Sequence, residues 1–219
     1  MRLQFLVLLL SICFLAGSAI AQPIADDNLS VNARFLVAAR NSDPAGIDRA
    51  LAAGANVNSR NRLGESALVI LLKNNKVDLA QKVLAAGADV NLAALNGVTP
   101  LMAAAFTGQT AVAKQLLDKG ANVAALDRLQ KNAMTYAAGA GSTEIVELLL
   151  ARGVNPNAIY HNDLTALMWA AGFGKTATVK ALLAAGAKPQ MKDNRGKTAA
   201  DMAREGNFTE TAAILDAAG

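Results

Sequence analysis

Residues 84–91 read LAAGADVN, and residues 51–58 read LAAGANVN 33 positions earlier. Three further variants follow, namely LDKGANVA at 117–124, LARGVNPN at 150–157 and LAAGAKPQ at 183–190. The glycine of each copy recurs every 33 residues with no insertion, at positions 54, 87, 120, 153 and 186. The last residue, Gly219, continues the series. A strict period of this length predicts stacked supersecondary units rather than a single wrapped core.

Residues 97–129 show most clearly what one period contains. Thr99 is suited to cap a helix, Pro100 to occupy its first position and Gly108 to end it. A second helical pattern follows and ends at Gly120. The remainder of the unit has no helical pattern, which predicts a β-turn or hairpin loop leading to the next unit.

The same punctuation recurs in the other units. The position expected to cap the first helix always holds a favourable residue; its occupants are Ser66, Thr99, Asn132, Thr165 and Thr198. The turn between the two helices needs a residue that tolerates a left-handed backbone, which glycine does best and asparagine next best. That turn holds Asn75, Gly108, Gly141, Gly174 and Asn207.

This pattern, G-x-T-P-L followed by two short helices and L-L-x-x-G-A-D-V-N, resembles the ankyrin repeat. Residues 97–101 and 120–123 carry the closest match, and the resemblance runs from about residue 28 to 219. It implies an all-α repeat solenoid, an ankyrin-like stack of about six helix–turn–helix units joined by β-turn or hairpin loops. The predicted units 1 to 6 are residues 28–57, 58–90, 91–123, 124–156, 157–189 and 190–219.

The chain departs from the family pattern after T-P-L, where a histidine usually links neighbouring repeats. That position holds Val69, Met102, Thr135, Met168 or Asp201, and alanine replaces the proline in four of five copies. Both departures are expected to reduce local rigidity without changing the fold. In the first unit, residues 35–39 and 47–51 align with the two helices, and the last unit ends at its second helix.

A different kind of sequence precedes the repeats. Arg2 gives a positive start, residues 3–16 form an apolar run, and Ala19-Ile20-Ala21 offers the small residues of a cleavage site. This pattern predicts a signal peptide over residues 1–21, cleaved near Ala21, and a flexible leader over 22–27. The apolar run is short for a membrane span, so contact with the membrane is expected only transiently, through the signal peptide. We therefore predict a periplasmic or secreted protein.

The residue inventory argues against catalysis. The chain has one histidine and one cysteine, and cleavage of the signal peptide would remove Cys13. A single histidine cannot form a zinc site by itself, and His161 has no nucleophile motif beside it. We predict a protein that is not an enzyme and has no cofactor or metal. The net charge of +4 is mild and forms no basic stripe, which argues against nucleic acid as a partner.

The family resemblance implies that a partner protein docks on the concave face, where the loop tips and the exposed ends of the first helices lie. Aromatic and arginine residues are the usual anchors of protein interfaces. Trp169 and Met168 are instead expected to pack between repeats. Reading the loops and helix ends by register gives the predicted partner-binding residues: Arg62, Lys73, Leu95, Phe106, Arg128, Lys131, Tyr160, His161, Phe173 and Arg195.

Together these features favour a monomeric scaffold or adaptor that acts after export. Two alternatives stay open from the sequence. One is a small-ligand or haem carrier, serving an envelope enzyme, that uses methionine or histidine side chains. The other is a secreted effector directed at a host.

Overall fold

The computed structural model describes residues 29–219, so the predicted signal peptide and leader lie outside the described residues. Over this range the chain forms twelve α-helices and one short 3₁₀ turn, with no β-strand. The helices are α1 (Val31–Asn41), α2 (Pro44–Ala52), α3 (Ala67–Lys73), α4 (Val77–Ala85), α5 (Pro100–Thr107), α6 (Thr110–Asp118), α7 (Ala133–Ala140), α8 (Thr143–Ala151), α9 (Ala166–Gly172), α10 (Thr176–Ala184), α11 (Ala199–Glu205) and α12 (Thr209–Ala218). They form six consecutive pairs, which confirms the predicted all-α repeat solenoid.

The helices lie in two layers. Each first helix packs against the second helix of its own unit and against the first helices of the neighbouring units. From α4 to α12, the second helices pack against one another and form the other layer. Pairs of alanines are fully buried where first helices meet, as at Ala104 and Ala105 or Ala137 and Ala138. Small side chains let neighbouring helices approach closely. The loops and the exposed ends of the first helices share one surface of the stack. We name this surface the inner face.

The predicted helix caps are confirmed. In units 2 to 6 the side chain of the capping residue accepts a hydrogen bond from the N–H three residues later. Unit 1 differs, because Ser30 caps α1 by accepting from Ala33 and the helix begins at Val31. The first helix of the array is therefore longer at its start than the aligned residues 35–39 predicted.

The position that lacks the family's histidine makes a local bond instead. The sulfurs of Met102 and Met168 accept hydrogen bonds from the N–H groups of Thr99 and Thr165, and Thr135 and Asp201 close the same capping box in their units. In unit 2 this position holds Val69, whose side chain has no acceptor. Among units 2 to 6, therefore, only unit 2 has an incomplete capping box. Side chains of quite different chemistry thus hold the start of each first helix.

The turns between paired helices also follow the period. Asn75, Gly108, Gly141, Gly174 and Asn207 all have the positive φ that the sequence predicts for this position. Unit 1 adds a sixth member at the same spacing, Ser42, with φ 55°. All six turns between paired helices therefore use the same left-handed backbone conformation.

Candidate partner-binding face

Four rings and one ammonium group lie together on the inner face of units 3 to 5. The edge of one ring of the Phe106–Tyr136 pair meets the face of the other at 6.1 Å between centroids. Trp169 and Phe173 stack at 6.0 Å with 11° between their planes. The ammonium nitrogen of Lys131 lies 4.9 Å from the ring centroid of Trp169 and 5.8 Å from that of Tyr136, so it joins the two pairs. We name these five residues the aromatic cluster.

Tyr136 fixes the cluster to the loop of its own unit. Its side chain is 1% exposed, and its hydroxyl donates to Oδ2 of Asp127 at 2.7 Å. The other carboxylate oxygen of Asp127 accepts from the N–H groups of Leu129 and Lys131, each at 2.8 Å. The buried carboxylate thus has partners on both oxygens, and it holds the loop of unit 4 in a single position relative to α7.

Glycine leaves room for the stacked pair. Gly139 lies on α7 one period after Phe106, and a Cβ there would lie 3.6 Å from both the Trp169 and the Phe173 ring. An alanine at this position would only touch the rings, whereas any longer side chain would occupy their space. The rings of unit 5 can therefore lie across the helix of unit 4 and form one continuous surface with it.

Tyr160 bridges two loops that lack the usual link between neighbours. Asn91 accepts from the N–H of Asn122 in the following loop, and Asn157 makes the equivalent bond to Lys188. Alanine occupies the equivalent position 124 in the loop between them and cannot make this bond. There Asn132 of unit 4 donates to the hydroxyl of Tyr160 at 3.3 Å instead. Burial raises the pKa of Tyr160 and the bond from Asn132 opposes this, so the hydroxyl stays protonated at neutral pH.

The loop that follows Tyr160 has its own shape. Residues 161–163 form the 3₁₀ turn, with Asn162 and Asp163 both at positive φ. His161 is exposed at this turn. The tip of the unit 5 loop therefore differs in backbone from its neighbours, although its sequence length is the same.

The ten predicted partner-binding residues fall into three groups by exposure. Lys131 is buried, being 8% exposed, so the prediction that its side chain is exposed on the concave face is wrong: it inserts between the rings of Tyr136 and Trp169. The half-buried members are Lys73, Phe106, Tyr160 and Phe173. The exposed members are Arg62, Leu95, Arg128, His161 and Arg195. Their role in binding stays a prediction.

Ion pairs lie on either side of the cluster, in units 2 and 6. In unit 2, Lys73 contacts Glu65 at 2.6 Å, and the two side chains are 19% and 13% exposed. Burial raises the pKa of Glu65. Hydrogen bonds from Lys73 and Asn61 and the positive charge of Lys73 together lower this pKa by more than burial raises it, so it lies below its ordinary value. In unit 6 the same two registers hold Lys197 and Glu205, which also pair. The bond to Glu205 raises the pKa of Lys197.

Two members of the cluster escaped the sequence-based prediction of the site. Tyr136 was not singled out, and Trp169 was assigned to packing between repeats, which agrees with its half-buried state but leaves out its place on the inner face. Both residues occupy one register, 33 positions apart. A search for aromatic residues at the period that marks the glycines would have found the pair.

Within residues 29–219 no group of three or more His, Cys, Asp or Glu side chains is placed to hold a metal ion. No helix in that range has both the length and the apolar character needed to cross a membrane. Met102 and Met168 are each 1% exposed and bonded to helix caps, so their sulfurs serve the fold.

Comparison with known families agrees with this architecture. The family model described as ankyrin repeats (3 copies) matches residues 35–127, 73–160 and 133–217. These overlapping matches run from the first helix to the last. Among curated proteins the comparison finds no match to the chain.

Proposed function

Because the chain belongs to the ankyrin repeat family, we propose that it is a non-enzymatic scaffold or adaptor that binds a partner protein through its inner face after export. Ankyrin repeats are generally protein–protein interaction modules, and the proteins built from them are typically not enzymes. The observation that carries the proposal is the aromatic cluster, because half-buried rings lie at the middle of the face that the loops border.

The cluster has the physical properties of a binding anchor. Interfaces derive most of their binding energy from a few aromatic and arginine residues near the centre of the contact. The stacked Trp169 and Phe173 rings are already held in place by each other and by Lys131. A partner that covers them therefore gains apolar contact area while little side-chain entropy is lost on binding.

Affinity capture tests this proposal. The mature protein with Phe106→Ala, Tyr160→Ala and Phe173→Ala should keep its helical circular dichroism and lose the partner captured by the wild type from a cell-envelope extract. Leu126→Ala/Ile159→Ala is the matched control, because these side chains are 47% and 59% exposed and lie outside the cluster. The control should retain the partner. Full capture by the triple variant would place the binding site elsewhere.

The proposed location follows from the N-terminal sequence. Residues 1–21 have the charge, apolar run and small-residue end of a signal peptide. Cleavage there would leave a chain without cysteine, whose stability would not depend on the redox state of the compartment. The mass of the protein recovered from the periplasm or medium should correspond to a chain that begins at Gln22. Recovery of the unprocessed chain from the cytoplasm alone would refute export, and recovery inside a host cell would favour the effector alternative.

A further inference from the structure

The loops of this protein contain more basic than acidic residues. The five loops contain seven Lys or Arg and four Asp or Glu residues; they span residues 58–66, 91–99, 124–132, 157–165 and 190–198. The six second helices, α2, α4, α6, α8, α10 and α12, contain the reverse, four Lys or Arg and seven Asp or Glu residues. The loops therefore have a net charge of +3. The second helices have a net charge of −3 within their bounds, but the basic residues Lys76, Lys119, Arg152 and Lys175 at their ends offset it.

Most of the loop carboxylates are already used within the protein. Glu65 pairs with Lys73, and Asp127 accepts from Tyr136 and two backbone N–H groups. Asp193 accepts from the side chain of Arg195 at 2.8 Å and from two N–H groups of its own loop. Arg195 and Lys197 of the loops are used in the same way, in pairs with Asp193 and Glu205, and Lys131 is buried. Among the described residues, the exposed loop cations outside these ion pairs are Arg60, Arg62, Arg128 and Lys192.

Two arginines stand at the exposed tips without such partners. Arg62 and Arg128 occupy the same register of the loops of units 2 and 4, and neither forms an ion pair with any residue that the structure describes. Packed helices lie about 10 Å apart, so two repeats separate these guanidinium groups by roughly 20 Å. An extended chain covers that distance with about six residues.

We propose that the inner face binds an extended acidic segment of the partner protein. Two carboxylates of the segment, about six residues apart, pair with Arg62 and Arg128, and an apolar side chain of the segment covers the rings of Phe106, Trp169 and Phe173. This inference rests on the proposed function and gives the chemistry of the partner. Complementary charge of this kind governs the rate and specificity of association more than its bare affinity.

The shape of the face favours a narrow segment over other anionic partners. The rings are half-buried between the first helices and the loops, so a flat lipid surface would meet the loop tips and leave the rings uncovered. Nucleic acid would require cations spaced closely along its backbone, whereas the loop of unit 3, between the two arginines, contains no charged residue in positions 91–99. An extended peptide satisfies both the wide spacing of the arginines and the apolar surface beside them.

Peptide binding followed through Trp169 tests the inference. Trp169 is the only tryptophan of the chain and belongs to the cluster, so its emission reports on occupancy of the inner face. The probes are two synthetic peptides with a central Leu-Phe pair, one flanked by glutamates and the other by lysines. The mature wild type should bind the glutamate peptide with a change in Trp169 emission, and raised salt should weaken this binding.

Charge reversal supplies the discriminating variant. Arg62→Glu/Arg128→Glu should lower the affinity for the glutamate peptide by at least about tenfold and should gain affinity for the lysine peptide. Lys114→Glu/Lys119→Glu is the control, because both lysines are exposed on or beside α6 and the variant carries the same net charge. The control should bind the glutamate peptide like the wild type. Equal loss in the two variants, or equal binding of both peptides, would overturn the inference.

Two further measurements separate competing partners. Cosedimentation with phosphatidylserine vesicles that depends on Arg62 and Arg128, without peptide binding, would assign the charge to a lipid surface and overturn the inference. Self-association in sedimentation equilibrium that the same reversal abolishes would assign the charge to contact with a second copy of the chain and overturn the inference. If capture of the partner requires the aromatic residues but survives the arginine reversal, the acidic segment is refuted while the scaffold function stands.

Discussion

The ends and the centre of this repeat array use the same two registers for different chemistry. In unit 2 these positions hold Glu65 and Lys73, and in unit 6 they hold Lys197 and Glu205, so each end carries an ion pair with the charges in opposite order. In the centre, unit 3 has Val98 and Phe106 at these registers, and unit 4 has Lys131 and Gly139. One backbone geometry thus carries a charged surface at the ends and an aromatic surface between them.

The difference shows how a repeat protein can place a binding surface without altering its scaffold. Unit 6 is a terminal repeat, which must show water a side that inner repeats bury, and its charged pair suits that position. Unit 2 carries a charged pair although units 1 and 3 cover both of its sides. Units 3 and 4 replace the pair with a ring and with a glycine over which rings lie. We expect the ends to be sensitive to acid and the centre to be sensitive to loss of packing.

Removal of the buried ring at the centre should have the largest effect. Tyr136→Ala deletes a fully buried side chain that contacts Phe106 and Lys131 and bonds Asp127. We expect it to lower the free energy of unfolding by about 3–5 kcal/mol, measured by urea denaturation. Tyr136→Phe keeps the ring and isolates the hydroxyl, at a cost of about 1–3 kcal/mol. If Tyr136→Ala lowers the free energy of unfolding by less than the removal of the Glu65–Lys73 ion pair does, packing does not stabilise the centre of the array.

A matched pair of glycines should give the intermediate effect. Gly97 and Gly196 occupy the same loop register with φ of 85° and 76°, so an alanine at either position adopts a disfavoured backbone. At Gly196 nothing lies within 4 Å of the added Cβ, and a cost of about 1–2 kcal/mol follows. At Gly97 the Cβ would lie 2.7 Å from the Cα of Asp127, so the neighbouring loop must also shift.

Gly97→Ala should therefore cost about 1–3 kcal/mol more than Gly196→Ala, the range of an overpacked site. Thermal unfolding of the two single variants under identical conditions measures the difference. Equal melting temperatures would mean that the central loops do not press against one another as the structure describes.

Acid should weaken the ends with the smallest effect. The pKa of Glu65 lies below its ordinary value of 4.5, so its stabilising contribution is complete above pH 4.5 and disappears as the pH falls through the lowered pKa. The pKa of Asp193 is likewise lowered, because N–H bonds from Lys197 and Arg195 outweigh the effect of burial. The urea midpoint should fall with pH in this range, and Glu65→Gln should remove part of that fall, at a cost of about 1 kcal/mol at neutral pH.

Glu144→Gln is the control for the acid experiment. Glu144 is exposed on α8 and takes part in no ion pair among residues 29–219. Its loss should leave the pH dependence of the wild type unchanged. Identical pH profiles for the wild type and Glu65→Gln would show that the pair in unit 2 contributes nothing to the acid response.

Most of the fold could be predicted from the sequence, because its signals are local and repeated. Caps such as Thr99 and turn residues such as Asn75 and Gly108 act on the few residues beside them, and the period repeats each signal several times. The left-handed turn at Ser42 was not predicted, since serine gives no such signal and only the spacing of 33 marks the position. The longer start of α1 was also missed, because Ser30 caps it outside the register of the other units.

The candidate site was predictable only in part. Phe106 and Phe173 lie in the aromatic cluster, and their register follows from the repeat; their role in binding stays a prediction. The burial of Lys131 was not predictable, because it depends on the rings of Tyr136 and Trp169, which come from two different units. A lysine in a loop has no local feature that distinguishes an exposed ammonium group from one covered by aromatic side chains.

The sequence by itself determined the period, the helix pairs and the turns, because each depends on short-range backbone preferences that one unit contains. Only the tertiary structure decided which side chains meet on the inner face and which charges stay exposed there. Glu65 and Asp127 are acidic residues of the loops, yet their carboxylates bond to Lys73 and Tyr136 within the protein. Arg62 and Arg128, by contrast, stay exposed at the loop tips. Pairing between elements depends on distances that no single repeat specifies.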